Sequence, residues 1–424
     1  MTFHRTTLWL AVWGALGGMG CSSGPSGSSP GSGGATPGAT GGTGHGETGG
    51  SGPSGGATGG ADATPGTGGD TGTTGSGGGV GMSGGASGNT GGSGGETSGS
   101  GGTTGGTTGS GGSSTGGGPG TGGLGGGNAC PGAAYDPASP PKALMLTGNL
   151  GAHDPAAYVV GKTIYLAATG IATKSSTDLT TWAGWPAGGG TKGGAWAPDI
   201  SNFGGLFHMY YAVSSFGTNK SCIGQATRTA LDSGTWADKG NVLCSNMGTK
   251  DNWNAIDPNI IVDEAGVPWM DFGSFWGGIQ LAKLNIDGTR ADMVVHPIAS
   301  GPSGGAVEGP FIFKRCGFYY LFVSFGSCCT APFNYTIRVG RSATVMGPYM
   351  DKEGKSMMSG GGTLLVQGDS SWSAPGHNAV ITYDNRTYNV YHALKAPSGQ
   401  NGFATLRIAE IVWDANGWPV SGGP

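Results

Sequence analysis

Ile256-Asp257-Pro258-Asn259-Ile260-Ile261-Val262, then Glu264-Ala265-Gly266, then Pro268-Trp269-Met270-Asp271-Phe272 is the stretch on which the fold turns. A polar opening leads into an apolar run. A turn follows, and an aromatic run comes back. Such a unit predicts two short strands joined by a turn. The pattern recurs around His153-Asp154-Pro155 with Tyr158-Val159-Val160 and Ile164-Tyr165-Leu166, and around Ala197-Pro198-Asp199-Ile200 with Phe207-His208-Met209-Tyr210-Tyr211. It returns at Val307-Glu308-Gly309-Pro310-Phe311 with Phe318-Tyr319-Tyr320-Leu321, and at Gly376-His377-Asn378-Ala379-Val380-Ile381 with Tyr388-Asn389-Val390-Tyr391. The key residues Asp154, Asp199, Asp257, Glu308 and His377 are 45, 58, 51 and 69 residues apart. Helical periodicity is almost absent. Repeats of this length, built of short strands and turns, predict an all-β, five-bladed β-propeller in one domain. If each repeat opens on the innermost strand of its blade, the five opening positions converge on the central axis.

Upstream the composition changes. Glycine makes up 96 of the 424 residues, and the excess is concentrated in residues 22–127. Those 106 residues hold no Lys, Arg or aromatic side chain, and Val80, Met82 and Leu124 are their only large aliphatics. Such a stretch cannot bury enough apolar surface to offset its ordering entropy, so it reads as a disordered Gly/Ser/Thr-rich linker. Its glycines lack the strict period of collagen. Residues 1–21 read as a secretory leader, with an apolar run from Leu8 to Leu16 too short to span a bilayer. Gly18-Met19-Gly20-Cys21 resembles a bacterial lipoprotein box, from which Gly18 and Met19 depart, so Cys21 is expected to carry a lipid at the cell surface; ordinary cleavage nearby, which frees an extracellular protein, is the alternative. Residues 128–424 form the expected folded domain.

That domain carries 20 acidic and 19 basic residues once Glu47, Asp62, Asp70, Glu96 and Arg5 are set aside. The balance argues against a nucleic-acid partner and is compatible with a neutral polysaccharide. Cys130, Cys222, Cys244, Cys316, Cys328 and Cys329 permit disulfides in an exported domain, with no pairing preferred and no zinc-type spacing. Cys328 and Cys329 could bond to each other only through an eight-membered ring.

Converging carboxylates are costly unless paired or functional. Three of them suggest a glycosidase. An inverting enzyme needs a carboxylate to activate water and a carboxylic acid to protonate the leaving oxygen, about 6.5–9.5 Å apart. A third carboxylate can raise the pKa of the acid by repulsion.

The chain from about Leu150 to Val420 also resembles glycoside hydrolase family 43, and within it the endo-1,5-α-L-arabinanases. The motifs that carry the resemblance are Ala152-His153-Asp154-Pro155, Trp196-Ala197-Pro198-Asp199-Ile200, Asn254-Ala255-Ile256-Asp257-Pro258, Phe272-Gly273-Ser274-Phe275-Trp276-Gly277-Gly278-Ile279 and Val307-Glu308-Gly309-Pro310. Cys328-Cys329, Val339-Gly340-Arg341-Ser342, Gly347-Pro348-Tyr349 and Gly376-His377-Asn378 complete the set. The resemblance implies Asp154 as general base, Glu308 as general acid and Asp257 as the residue that tunes and orients the acid. It implies that His377 lies near a central ion, often calcium, held largely through waters. One departure stands out. The family usually has Ser-Thr-Tyr after the paired cysteines, where this chain has Asn334-Tyr335-Thr336.

His153, Trp196, Ser274, Phe275 and Trp276 are the expected substrate-binding residues, with Phe216 and Trp253 as further candidate sugar platforms. Asp199 is expected to bond a core partner, and Asp178 to shape a turn. The expected activity is cleavage of internal α-1,5 bonds in arabinan by a monomer held at a membrane only through its lipid. An exo-acting arabinofuranosidase or β-xylosidase is the alternative on the same fold, and a non-catalytic sugar-binding propeller is another.

Overall fold

The computed structural model describes residues 134–185, 194–248, 251–396 and 403–424. The leader, the linker, Cys21 and Cys130 lie outside them. Among the described residues, twenty-one strands form five sheets. In blade one, β2 (Ala156–Val160), β3 (Thr163–Ala168), β4 (Ala172–Ser176) and β5 (Thr181–Gly184) run antiparallel from the axis outward. Blade two comprises β6 (Trp196–Phe203), β7 (Leu206–Val213), β8 (Ser221–Arg228) and β9 (Ala237–Ser245). Blade three comprises β10 (Asn259–Val262), β11 (Pro268–Phe272), β12 (Ile279–Lys283) and β13 (His296–Ala299). Blade four follows with β14 (Val307–Arg315), β15 (Phe318–Phe325), β16 (Thr336–Ser342) and β17 (Thr363–Gln367). Blade five has β18 (Trp372–Tyr383), β19 (Arg386–Lys395), β20 (Ala404–Trp413) and β21 (Pro419–Ser421). The expected five-bladed propeller is the observed fold.

Each repeated motif is the inner hairpin of one blade. The innermost strands β2, β6, β10, β14 and β18 together line an axial cavity of about 350 Å³. Apolar side chains from the blade faces fill the spaces between neighbouring blades. Ile164, Leu166 and Trp182 of blade one, for example, pack with Ile381, Val390, Leu406 and Ile408 of blade five.

The ring is sealed where its two ends meet. Strand β21 pairs with β20 only at Ile411, Val412 and Trp413. The rest of the β20 edge is taken by the segment preceding blade one: Leu144 N donates to Ile408 O (2.7 Å), Leu406 N to Leu150 O (2.7 Å) and Ala152 N to Ala404 O (3.0 Å). That segment then sends β1 (Thr147–Gly148) alongside β5. The buried Lys174 ammonium of β4 donates to Gly151 O, and burial pushes its pKa down to about 8.

The structure corrects the register of the repeat. Asp154, Ala197, Asp257 and Gly309 each precede a proline and have φ of 52°, 41°, 57° and 56°; His377, in the fifth blade, has 47°. These five are the equivalent positions. Asp199 sits two residues further in and Glu308 one residue earlier. A left-handed backbone ahead of proline is strained, by about 1–3 kcal/mol for a residue with a side chain.

Cys222 and Cys244 face each other across β8 and β9 and are bonded. Cys328 and Cys329 are bonded to each other, and Cys316 is also disulfide-bonded.

Candidate active site

The left-handed turns open the inner strands at one end of the axis, and the backbone amides they turn inward are met by side chains of the preceding blade. Thr169 Oγ1 accepts from Ala197 N (2.9 Å) and Asp257 Oδ2 from Gly309 N (3.0 Å). Ser324 Oγ accepts from His377 N (2.8 Å), and His392 Nδ1 from Asp154 N (3.0 Å). Register shifts in β6, β14 and β18 lie beside these residues. Such bulges re-aim side chains next to functional sites.

Asp154 is the most heavily bonded group. His153 Nδ1 lies 2.7 Å and Thr169 Oγ1 2.6 Å from its Oδ2, while His377 Nδ1 is 3.1 Å from its Oδ1. Burial alone would raise the Asp154 pKa, but His153 and His377 more than reverse that and hold it well below the usual carboxylate range. His377 is the counterpart. Burial opposes its charge, yet Asp154 and Asp257 push its pKa up to about 9. His377 Nδ1 is 4.0 Å from Asp257 Oδ2.

Glu308 behaves in the opposite way. Burial pushes its carboxyl up, hydrogen bonds from Tyr335 and Ser274 pull it back, and the Asp154 charge raises it again. Ser274 Oγ donates to Oε2 (2.7 Å) and the Tyr335 hydroxyl donates to Oε1. Asp257 is itself pushed up to about 7, by burial first, with the charges of Glu308 and Asp154 adding to it. Sequence reasoning assigned the repulsion on Glu308 to Asp257; here burial leads and Asp154 is the principal like charge. The site therefore holds one carboxyl whose pKa is driven down, Asp154, and one whose pKa is driven up, Glu308, the divergence from which base and acid roles are read.

The geometry has a match among known proteins. The sequence profile of the glycosyl hydrolases family 43 covers residues 148–419. The chain belongs to glycoside hydrolase family 43. This family 43 glycosidase is 41% identical over 298 residues to an extracellular exo-α-(1→5)-L-arabinofuranosidase of Cellvibrio japonicus, spanning 63% of this chain and 85% of that protein. It is 38% identical over 311 residues to an extracellular endo-α-(1→5)-L-arabinanase of Bacillus subtilis, spanning 68% and 93%. Among solved structures, a Cellvibrio cellulosa α-L-arabinanase complexed with arabinohexaose superposes with a TM-score of 0.60 at 40% identity, over 64% of this chain and 95% of that one.

The candidate site brings together Asp154, Glu308, Asp257, His153, Ser274 and His377. Phe275 and Trp276 follow Ser274 on a turn, 41% and 47% exposed, and Phe275 N donates to Val307 O (2.9 Å), which ties them to the Glu308 strand. Trp196 is half-buried at the head of β6. Trp253 is not a sugar platform: it is buried edge-on against Phe272 in the core of blades two and three. Asp199 lies in the axial cavity, where its Oδ1 accepts from Asn259 Nδ2 (3.0 Å), as a core partner should. Asp178 accepts from the amides of Thr180 (2.8 Å) and Thr181 (2.7 Å), a turn as expected.

Three site residues escaped the sequence reading. Thr169 lies in the turn that follows β3 and His392 lies within β19, and neither belongs to a motif that marks a site. His392 is fully buried, stacks on His153 at 4.5 Å, and burial with the charge of His153 drives its pKa well down. It is therefore a neutral acceptor for Asp154 N. Tyr335 was visible only as the departure from Ser-Thr-Tyr; the shifted tyrosine still reaches Glu308.

A central calcium can be tested against the donors present. Calcium takes six to eight oxygen ligands. His377 offers one nitrogen, already turned to Asp154, and among the described residues the three-ligand groupings contain His153, not His377. Among the described residues the donors around His377 therefore form no protein cage for calcium.

Proposed function

We propose that the protein is a secreted hydrolase that cuts internal α-1,5-L-arabinofuranosyl bonds of arabinan with inversion. The observation that carries this reading is the contrast in partners of two buried carboxyls, Asp154 held between His153, Thr169 and His377 and Glu308 between the hydroxyls of Ser274 and Tyr335, which drives the pKa of the first down while that of the second is raised. The relatives named for extracellular action on α-(1→5)-arabinan supply the substrate class and the export. Asp154 takes a proton from water as the water attacks the anomeric carbon. His153, Thr169 and His377 hold its two oxygens in place. Glu308 gives its proton to the departing glycosidic oxygen, oriented by Ser274 and Tyr335. Asp257 accepts from Gly309 N and fixes the backbone beside the acid. Phe275, Trp276 and Trp196 offer ring faces to the partly apolar sugar.

A calcium ion at the axis, flanked by His377, would supply positive charge near Asp154; treatment with a chelator should lower activity or Tm, and added calcium should restore it. The chain acts as a monomer, and Cys21 carries the lipid that tethers it. Cys21→Ser should then move the protein from the membrane to the soluble fraction.

The deciding experiment is hydrolysis of linear arabinan, branched arabinan, xylan and nitrophenyl glycosides, with product sizes resolved and the first-formed anomer read by NMR. Release of arabinose alone from the first turnovers would favour exo action, and a retained configuration would remove Asp154 as base.

A further inference from the structure

The Cys328–Cys329 bond lies against the active site. Cys329 Sγ is 3.5 Å from His153 Nε2, and Cys328 Sγ is 3.9 Å from Glu308 Oε1. All three of His153, Cys328 and Cys329 are partly exposed, and their ligand atoms cluster within 4.8 Å. We propose that this disulfide masks a soft-metal site. Opened to two thiols, Cys328 and Cys329 join His153 in taking a zinc-class cation, which closes the active site.

Three features support this. First, zinc binds sulfur at about 2.3 Å and imidazole nitrogen at about 2.0–2.1 Å in a tetrahedron, so an N and an S on one zinc lie about 3.5 Å apart. The Cys329–His153 pair already has that separation. Second, His153 Nδ1 is turned to Asp154 Oδ2 at 2.7 Å. Nδ1–H donates to that carboxylate, so a metal that displaces the Nε2 proton finds the freed lone pair facing the sulfurs. A carboxylate behind a ligating histidine is the usual support of zinc sites. Third, the sulfurs as a disulfide are poor ligands, whereas two thiolates are strong ones.

The step balances. A water-soluble phosphine attacks the bond, one water supplies the oxygen of the phosphine oxide and the two protons, and two thiols result. Zinc then displaces the two thiol protons and the Nε2 proton of His153, all three released to solvent, and leaves its fourth position to water. The metal would pin His153 beside Asp154 and sit next to Glu308. The loss of activity rests on the function proposed above; the uptake of metal does not.

The test uses the full chain. It is reduced with phosphine, freed of reagent without oxygen, and loaded with Zn²⁺ or Co²⁺. Alkylation with mass spectrometry must show Cys328 and Cys329 opened; a bond that resists overturns the proposal. The reduced protein should hold one more zinc per chain than the oxidised protein, and cobalt should give a thiolate charge-transfer band. A reduced Cys328→Ser/Cys329→Ser chain controls for thiols from the other disulfides and should lack the extra zinc. Should that variant not fold, the oxidised protein is the reference. Equal zinc in all forms overturns the site. Zinc should abolish arabinan cleavage by the reduced enzyme only, and a chelator should restore it. Zinc uptake with activity intact overturns the reach into the active site. A chain inactive on arabinan in every state overturns the proposed function, and the zinc count still judges the site.

Discussion

Asp154→Asn and Glu308→Gln should diverge when the leaving group changes. Each should cost about 10²–10⁴-fold on polymeric arabinan. A nitrophenolate needs little protonation, so Glu308→Gln should recover most of its loss on that substrate and Asp154→Asn none; equal recovery would exchange or void the two roles. Asp199 tests a different property. Its carboxyl is pushed to about 7 by burial, against about 3.9 in an unfolded chain. The native state therefore keeps a proton that the unfolded state releases, and this contribution to stability is complete below about pH 4 and drains away as the pH climbs to about 7. Asp199→Asn, neutral throughout, should match the parent Tm at low pH and exceed it above neutrality. A constant offset across the pH range would contradict this.

At the scale of elements, the bulges that open the inner strands set the side-chain directions. Gly376 lies at one, in β18, and a Cβ there would come within 1.9 Å of the Tyr335 ring. Gly376→Ala should push Tyr335 off Glu308 and lower kcat by on the order of 10²-fold with the fold kept; near-wild-type kcat would show that Tyr335 does not orient the acid. The same elements explain what the sequence could and could not reveal. The inner hairpins were legible because turns such as Gly161-Lys162 and Cys316-Gly317 are local signals between apolar runs. Outer strands such as β13 and β17 are short and lack such a signature. The register was misjudged because carboxylates were aligned with carboxylates. The marker was the residue before proline at 155, 198, 258 and 310, where backbone strain, not charge, defines equivalence. His392 stayed hidden because only closure of the ring brings blade five to Asp154, and Thr169 because only the packing of blade one on blade two brings it to Ala197.

At the scale of the whole molecule, the seal between first and last blades predicts where the chain can be shortened. A chain beginning at Asn128 keeps the strand segment that covers β20 and should fold with full activity on soluble arabinan. One beginning at Ala152 loses the bonds from Leu144 and Leu150 and bares a sheet edge. It should melt lower and aggregate on heating; equal Tm values would show that the seal adds no stability. The seal also brings the ends of the fold together, since a Cβ on Gly422 would lie 2.6 Å from the Lys142 carbonyl carbon. The propeller is thus close to a circle of chain with a single nick. Joined there by a short loop and cut instead at the Gly161-Lys162 turn, which has open space around Gly161, the permuted chain should rebuild the same ring. Position in the sequence would then be separable from position in the circle, and the tether could be moved to any far-end turn without disturbing the sugar-facing end.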